Sequence, residues 1–162
     1  MQSEYKYGFL GGGVIAISFY ADEVYGAEIP SVPWMVNIIV FGVIGWAIYL
    51  ALKEKREANR KEFVFAKAIL TGLITCFCMA SVAGVYSFSY AKFVNPDKAK
   101  QEIAKFEPQW EKQNVPPDKI EEKKKALDTL YSPLGQLEST VGIIVILGVL
   151  VSIVLALIMK QN

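Results

Sequence analysis

The fold is decided by the stretch FVFAKAILTGLITCFCMASVAGVYSFSYAKF, which runs from Phe63 to Phe93. It contains two charged residues, Lys67 and Lys92, with 24 uncharged residues between them. Because a helix needs roughly 20 apolar residues to cross a bilayer, the stretch predicts a membrane-spanning helix that is tilted or has an extra turn.

Composition places the whole chain in the membrane class. Its 162 residues are 53% hydrophobic, and the apolar residues are concentrated in long blocks. The net charge of +1 gives no field that would attract nucleic acid, so we expect no nucleic-acid partner. The chain has no histidine, which removes the commonest metal ligand and the commonest general base near neutral pH.

Three further apolar segments predict spans, and with the first stretch they give spans at about 5–22, 33–52, 63–93 and 134–159. The segment at 5–22 is short for a span, because only the 15 residues from Tyr7 to Ala21 are uncharged. A secretory signal peptide and a re-entrant segment are the rival interpretations. As a span, it would place Glu4 and Lys6 at the interface with their charged ends in water.

Small residues recur at intervals of four in several of these spans. Such a stripe lets a second helix approach closely, so we predict helix packing along it. The stripe of the third span is expected to pair with that of the fourth. The predicted packing residues are Gly8, Gly12, Gly72, Cys76, Ala80, Gly84, Gly148, Ser152 and Ala156.

The charged segment from Lys53 to Glu62 sets the predicted orientation. It holds five basic residues in ten and lies between two spans, so the positive-inside rule makes it a cytoplasmic connection. Both termini are then cytoplasmic, and the 94–133 loop lies on the periplasmic side. The eight lysines within that loop argue for the opposite orientation.

Residues 95–132 are the only sizeable polar region, and they predict an amphipathic helical hairpin between the third and fourth spans. Asn95 is expected to cap its first helix, and Pro108 to end or kink that helix. Pro116 and Pro117 mark the turn. The hairpin would cap the membrane helices or lie on the headgroups, and a mobile linker is the alternative.

Few residues qualify as functional groups. Asn37, Lys67 and Glu138 are the polar candidates within or beside the spans, and each also has an ordinary role at a helix end or in a helix contact. Cys76 and Cys78 are two apart on a helix and point about 200° away from each other, so they neither pair nor share a metal. We therefore predict no catalytic residue, no metal site and no cofactor.

A resemblance covers nearly the whole chain. It is carried by Tyr5-Lys6-Tyr7-Gly8, by Phe63-Val-Phe-Ala-Lys-Ala, by Asn95-Pro96 and by Ser132-Pro133. The chain resembles the DUF4199 family, small four-span inner-membrane proteins of Bacteroidota with no assigned activity. The resemblance implies four helices and a Gram-negative inner membrane, and it supplies no catalytic residue.

Two functions follow as hypotheses for this single, all-α membrane domain. The first is a non-enzymatic accessory or scaffold subunit that packs, within the lipid bilayer, against a larger membrane protein complex or against itself. The alternative is a small transporter or lipid-carrier flippase, for which the resemblance suggests a polyprenyl-phosphate glycosyltransferase as partner. A transporter needs a polar path through the membrane, and only Asn37, Thr71, Thr75, Ser81 and Ser87 are placed to line one.

Overall fold

The computed structural model describes residues 2–58 and 65–160, and these are helical almost throughout, with no β-strand among them. The prediction of an all-α protein is therefore confirmed. In chain order the elements are α1 (Ser3–Tyr25), α2 (Val32–Ala58), α3 (Phe65–Ser89) continued by a π-helical segment (Tyr90–Val94), α4 (Lys98–Lys112), α5 (Pro117–Tyr131) and α6 (Pro133–Lys160).

Three of these helices are long and apolar enough to cross a membrane: α2, α3 with its π-helical segment, and α6. The prediction of four spans is thus confirmed for three of them. The helix α1 is not in this set, because its uncharged stretch is short and four of its residues are glycine.

The ends of the predicted spans need correction on one side. The helix α2 continues to Ala58, six residues beyond the predicted end at Leu52, so Lys53–Ala58 is helical and not a loop. Lysine, glutamate and arginine are good helix formers, and Lys55 and Arg56 lie in the last turn, where cations are favoured by the helix dipole. The rest of the predicted basic connection, residues 59–62, lies outside the described residues, as does the predicted start of the third span at Phe63.

The chain divides into two compact units, Met1–Ala83 with Val141–Asn162, and Gly84–Thr140. The first unit contains α1, α2 and parts of α3 and α6 around one apolar core. Its fully buried side chains include isoleucine, leucine and methionine residues: Ile15, Ile44, Ile48, Leu52, Met79 and Ile144.

The second unit contains the hairpin of α4 and α5. Lys124 and Glu107 form an ion pair across it, and the Lys123 ammonium lies 5.3 Å from the ring centre of Trp110, which stacks on Phe106. These contacts join the two helices, so residues 98–131 form a helical hairpin and not a linker.

The local predictions for this unit are mixed. Pro108 neither ends nor breaks α4, which continues for four more residues to Lys112. The residue at the N-cap of α4 is Asp97 and not Asn95, whose backbone amide closes the π-helical segment on the Tyr90 carbonyl. Ser132 caps α6, because its hydroxyl oxygen accepts from the Gly135 amide at 3.0 Å, as the sequence Ser132-Pro133 at the start of this helix favours.

Candidate functional site

The small-residue stripes of α3 and α6 face each other within the first unit. A Cβ added at Gly72 would collide with the Ser152 side chain, and one added at Gly148 would collide with that of Cys76. The residue number rises along α3 as it falls along α6, so the two helices are antiparallel. The structure therefore brings together four of the predicted packing residues in one close helix–helix contact.

The glycines of α1 pack on another face of α3. A Cβ at Gly8 would lie 2.5 Å from the Cβ of Cys78, and a Cβ at Gly12 would lie 2.7 Å from that of Val82. Because Gly8 is level with Cys78 and Gly12 with Val82, α1 and α3 run parallel. The helix α3 is thus contacted through glycines by both α1 and α6.

The remaining predicted packing residues are also enclosed. Ala80 is 1% exposed and Ala156 is fully buried, and both belong to the apolar core of the first unit. Gly84, in the second unit, is buried as well.

The three polar candidates lie on three different helices and are exposed: Asn37 on α2, Lys67 on α3 and Glu138 on α6. The Asn37 amide donates to the Pro33 carbonyl at 2.9 Å, one turn earlier on the same helix. Asn37 thus makes its hydrogen bond within α2 and not with another helix.

The sequence did not predict a polar cluster where the start of α1 meets the end of α2. The Glu4 side chain is 2% exposed, and its carboxylate accepts from the Lys55 ammonium at 2.6 Å. The Ser3 hydroxyl lies 3.2 Å from the same carboxylate and 3.3 Å from the Ala51 carbonyl. The prediction that Glu4 reaches into the interface is therefore wrong, because the carboxylate turns inward to a cation on the neighbouring helix.

Two opposing effects act on the pKa of the Glu4 carboxyl. Burial raises the pKa, but hydrogen bonds from Lys55, from the backbone and from Ser3, together with the charge of Lys55, lower it by more. The pKa therefore lies below its ordinary value, and Glu4 is ionised at neutral pH. A second pair flanks the cluster, since Lys6 lies 3.5 Å from Glu54 and stays half-exposed.

The model of a family described as "Protein of unknown function (DUF4199)" matches residues 6–161. The chain belongs to the DUF4199 family. No curated protein and no solved structure matches it.

Several hydroxyl groups in the described part of this DUF4199 protein are bound within their own helices. Thr71, Thr75, Ser81 and Ser152 each donate to the carbonyl four residues earlier, at 2.6–2.9 Å. The Thr140 hydroxyl, by contrast, joins two helices, because it donates to Ser87 at 3.0 Å in a buried position of the second unit. Of the residues proposed to line a polar path, Thr71, Thr75 and Ser81 thus direct their hydroxyls to the backbone of their own helix.

The described part of the DUF4199 chain offers little reactive chemistry. Among residues 2–58 and 65–160, no three histidine, cysteine, aspartate or glutamate side chains are placed to hold a metal ion. Cys76 and Cys78 are free and buried, at 1% and 7% exposure. What the arrangement does provide is helix contact, an internal ion pair and a large apolar exterior.

The Glu4–Lys55 pair had a weak signal in the sequence. Two antiparallel helices joined by a short connection bring the start of the first level with the end of the second. Glu4 and Lys55 occupy those two ends, with opposite charges. A single sequence does not show which of Lys53, Lys55 and Arg56 turns toward α1, so the pair itself was not predictable.

Proposed function

We propose that this DUF4199 protein is a non-enzymatic accessory subunit of the membrane, which binds a larger membrane protein complex or a second copy of itself through the outer face of α2. The observation that carries the proposal is the exposure of that face. Trp34, Ile38 and Phe41 are 75%, 67% and 57% exposed, and a Cβ added at Gly42 or Gly45 would meet no described atom within 4 Å.

The outer face of α6 provides the contrast. Its exposed residues are almost all branched aliphatic side chains, which suit contact with lipid chains: Ile143, Ile146, Leu150, Ile153, Val154, Leu157 and Ile158. On α2, by comparison, two glycines three residues apart lie among exposed aromatic rings. Aromatic anchors beside small residues favour contact with another helix, because the helix backbones can then come close.

We also propose that residues 5–22 of α1 cross the membrane, which gives four spans in all. The support is its position, because Gly8 and Gly12 pack directly on the middle of α3, which is itself long enough to cross the membrane. Its other face is apolar and exposed, with Phe9 at 51%, Leu10 at 54% and Ile17 at 70%. A helix held between an apolar bundle and an apolar exterior fits the hydrocarbon of a bilayer.

The proposed location is the bacterial inner membrane with both termini cytoplasmic and residues 94–133 periplasmic. The support is the basic end of α2 with Lys53, Lys55 and Arg56, which favours the cytoplasmic side. A reporter active only in the cytoplasm, fused after Asn162, should be active. A reporter active only in the periplasm, inserted at Asn114 in the hairpin turn, should also be active, and the reverse pattern would refute this orientation.

Purification from native membranes in mild detergent tests the subunit hypothesis. The intact protein should elute with a second protein in fixed ratio, or as a dimer. Gly45→Leu should abolish this association, whereas Gly142→Leu should preserve it. Gly142 on α6 is the matched control, since a Cβ there also meets open space among the described residues.

Two results would count against the proposal. A lone monomer from native membranes would refute the accessory role. An association that survives Gly45→Leu would show that the partner binds elsewhere than on the outer face of α2.

A further inference from the structure

A cleft of about 520 Å³ opens on the surface of the first unit between α1, α3 and α6. Its lining is almost wholly apolar, and Tyr5 and two cysteines are the lining residues that carry a polar side-chain atom. The lining includes Tyr5, Leu73, Ile74, Phe77, Cys78 and Val145. The cleft lies about 12 Å along α3 from its first residue, Phe65, at 1.5 Å per residue.

A line of residues on α3, exposed except for the half-buried Ile74, connects this cleft to the start of the described part of the helix. Lys67, Leu70, Ile74 and Phe77 are spaced by three, four and three residues, so they share one helix face. Leu70 is 57% and Phe77 68% exposed, and Lys67 is exposed as well. Lys67 and Ile74 are seven residues apart, so the Cα atom of Lys67 lies about 10 Å along the helix axis from Ile74 in the cleft.

We propose that this face of α3 binds a membrane phospholipid, with one acyl chain in the cleft and the phosphate at Lys67. The chemical groups along the helix match those of the lipid in order. The Lys67 cation lies where the anionic phosphate would be, and the apolar cleft lies where the acyl chain would be, inside the hydrocarbon layer. The headgroup regions are about 5–8 Å thick on each side, so a 10 Å offset carries the site from phosphate to chain. A polar ligand would lose its hydrogen bonds in such a cleft.

Photolabelling in lipid nanodiscs tests the site. The full chain is reconstituted with a small fraction of phosphatidylglycerol that carries a diazirine in one acyl chain, and labelled residues are read by peptide mass spectrometry. Label should concentrate on residues 73–78 and on Val145. Lys67→Gln should reduce this labelling about fivefold, the effect of losing one lysine near an anionic headgroup.

The matched variant is Lys92→Gln, which removes the lysine at the other end of the same apolar stretch and should leave labelling of the cleft unchanged. A matched probe is a diazirine diacylglycerol, which lacks the phosphate. It should label the cleft less than phosphatidylglycerol and be insensitive to Lys67→Gln. Val145→Phe, which narrows the cleft, should reduce labelling by both probes, and Val145→Ala should preserve it.

Three outcomes would overturn the proposal. Equal labelling of the outer face of α6, at Ile146 and Leu150, would mean only the ordinary lipid layer around a membrane protein. If Lys67→Gln left the labelling unchanged, the proposed contact between Lys67 and the phosphate would be refuted. A photo-crosslink to a second protein chain in place of lipid would show that the cleft is covered by protein.

Discussion

Alanine substitution at three consecutive glycines of α1 should have three different effects on stability. Gly11, Gly12 and Gly13 are the same residue type on the same helix, but an added Cβ meets different surroundings at each. At Gly12 it would lie 2.7 Å from the Val82 Cβ and 3.0 Å from the Met79 carbonyl oxygen, which are rigid parts of α3. At Gly11 it would meet the Met79 sulfur at 2.7 Å, the movable part of a flexible side chain.

The magnitudes follow from two contributions. Replacing glycine by alanine in a helix stabilises it by about 1 kcal/mol, equally at all three positions. Overpacking against a rigid neighbour costs about 1–3 kcal/mol, and at Gly13 no described atom lies within 4 Å of the added Cβ. Gly13→Ala should therefore raise the free energy of unfolding by about 1 kcal/mol. Gly12→Ala should lie about 1–3 kcal/mol below Gly13→Ala, because only the overpacking differs between them. Gly11→Ala should fall between the two.

Reversible unfolding in mixed micelles, titrated with dodecyl sulfate and followed by tryptophan fluorescence, measures these differences. The comparison of adjacent positions removes helix propensity and protein concentration as explanations. If Gly12→Ala and Gly13→Ala had the same unfolding free energy within about 0.3 kcal/mol, the limit to which independent effects usually add, close packing of α1 on α3 would be refuted.

Three further predictions concern other contacts. The lowered pKa of Glu4 means that its ion pair stabilises the fold above the ordinary pKa of 4.5 and that this contribution is lost as the pH falls through the folded-state pKa. The free energy of unfolding, measured from pH 7 to 3, should show this loss, and Glu4→Gln should flatten its dependence on pH. The same pH dependence in the variant would contradict the prediction. A double-mutant cycle of Ser87→Ala and Thr140→Val should give a coupling of about 0.6 kcal/mol in unfolding free energy, the mean for hydrogen bonds between membrane helices, and zero coupling would exclude the bond. Pro108→Ala should slow amide hydrogen exchange in α4, because it restores an interior helix hydrogen bond, whereas Pro117→Ala at the first turn of α5 should not; equal effects would refute that difference.

The sequence predicted the long helices well, because uncharged length is a direct measure of what a bilayer requires. The third and fourth predicted spans, 63–93 and 134–159, agree with α3 and α6 to within a few residues over the described part of the chain. The extension of α2 to Ala58 was not predicted, because a charged segment between two spans indicates a connection, although charged residues also form helix readily.

What the sequence could not supply was the direction of individual side chains. Gly12 and Gly13 are adjacent and identical, yet only Gly12 contacts α3. Glu4 was assigned to the interface by its position near the start of a span, but the choice between water and Lys55 depends on a helix 51 residues away. Such pairings arise from the packing of whole helices, and a single sequence does not record them.

The central position of α3 in the first unit has a consequence for biosynthesis. Its glycine contacts join it to α1, which is translated before it, and to α6, which is translated after it. When α3 leaves the ribosome, the groove that receives Gly8 and Gly12 can close at once, while the side of Gly72 and Cys76 waits until the hairpin and α6 have been translated. During that interval this side faces lipid or a chaperone of membrane insertion, so the contacts of α3 are complete only after α6 has been made.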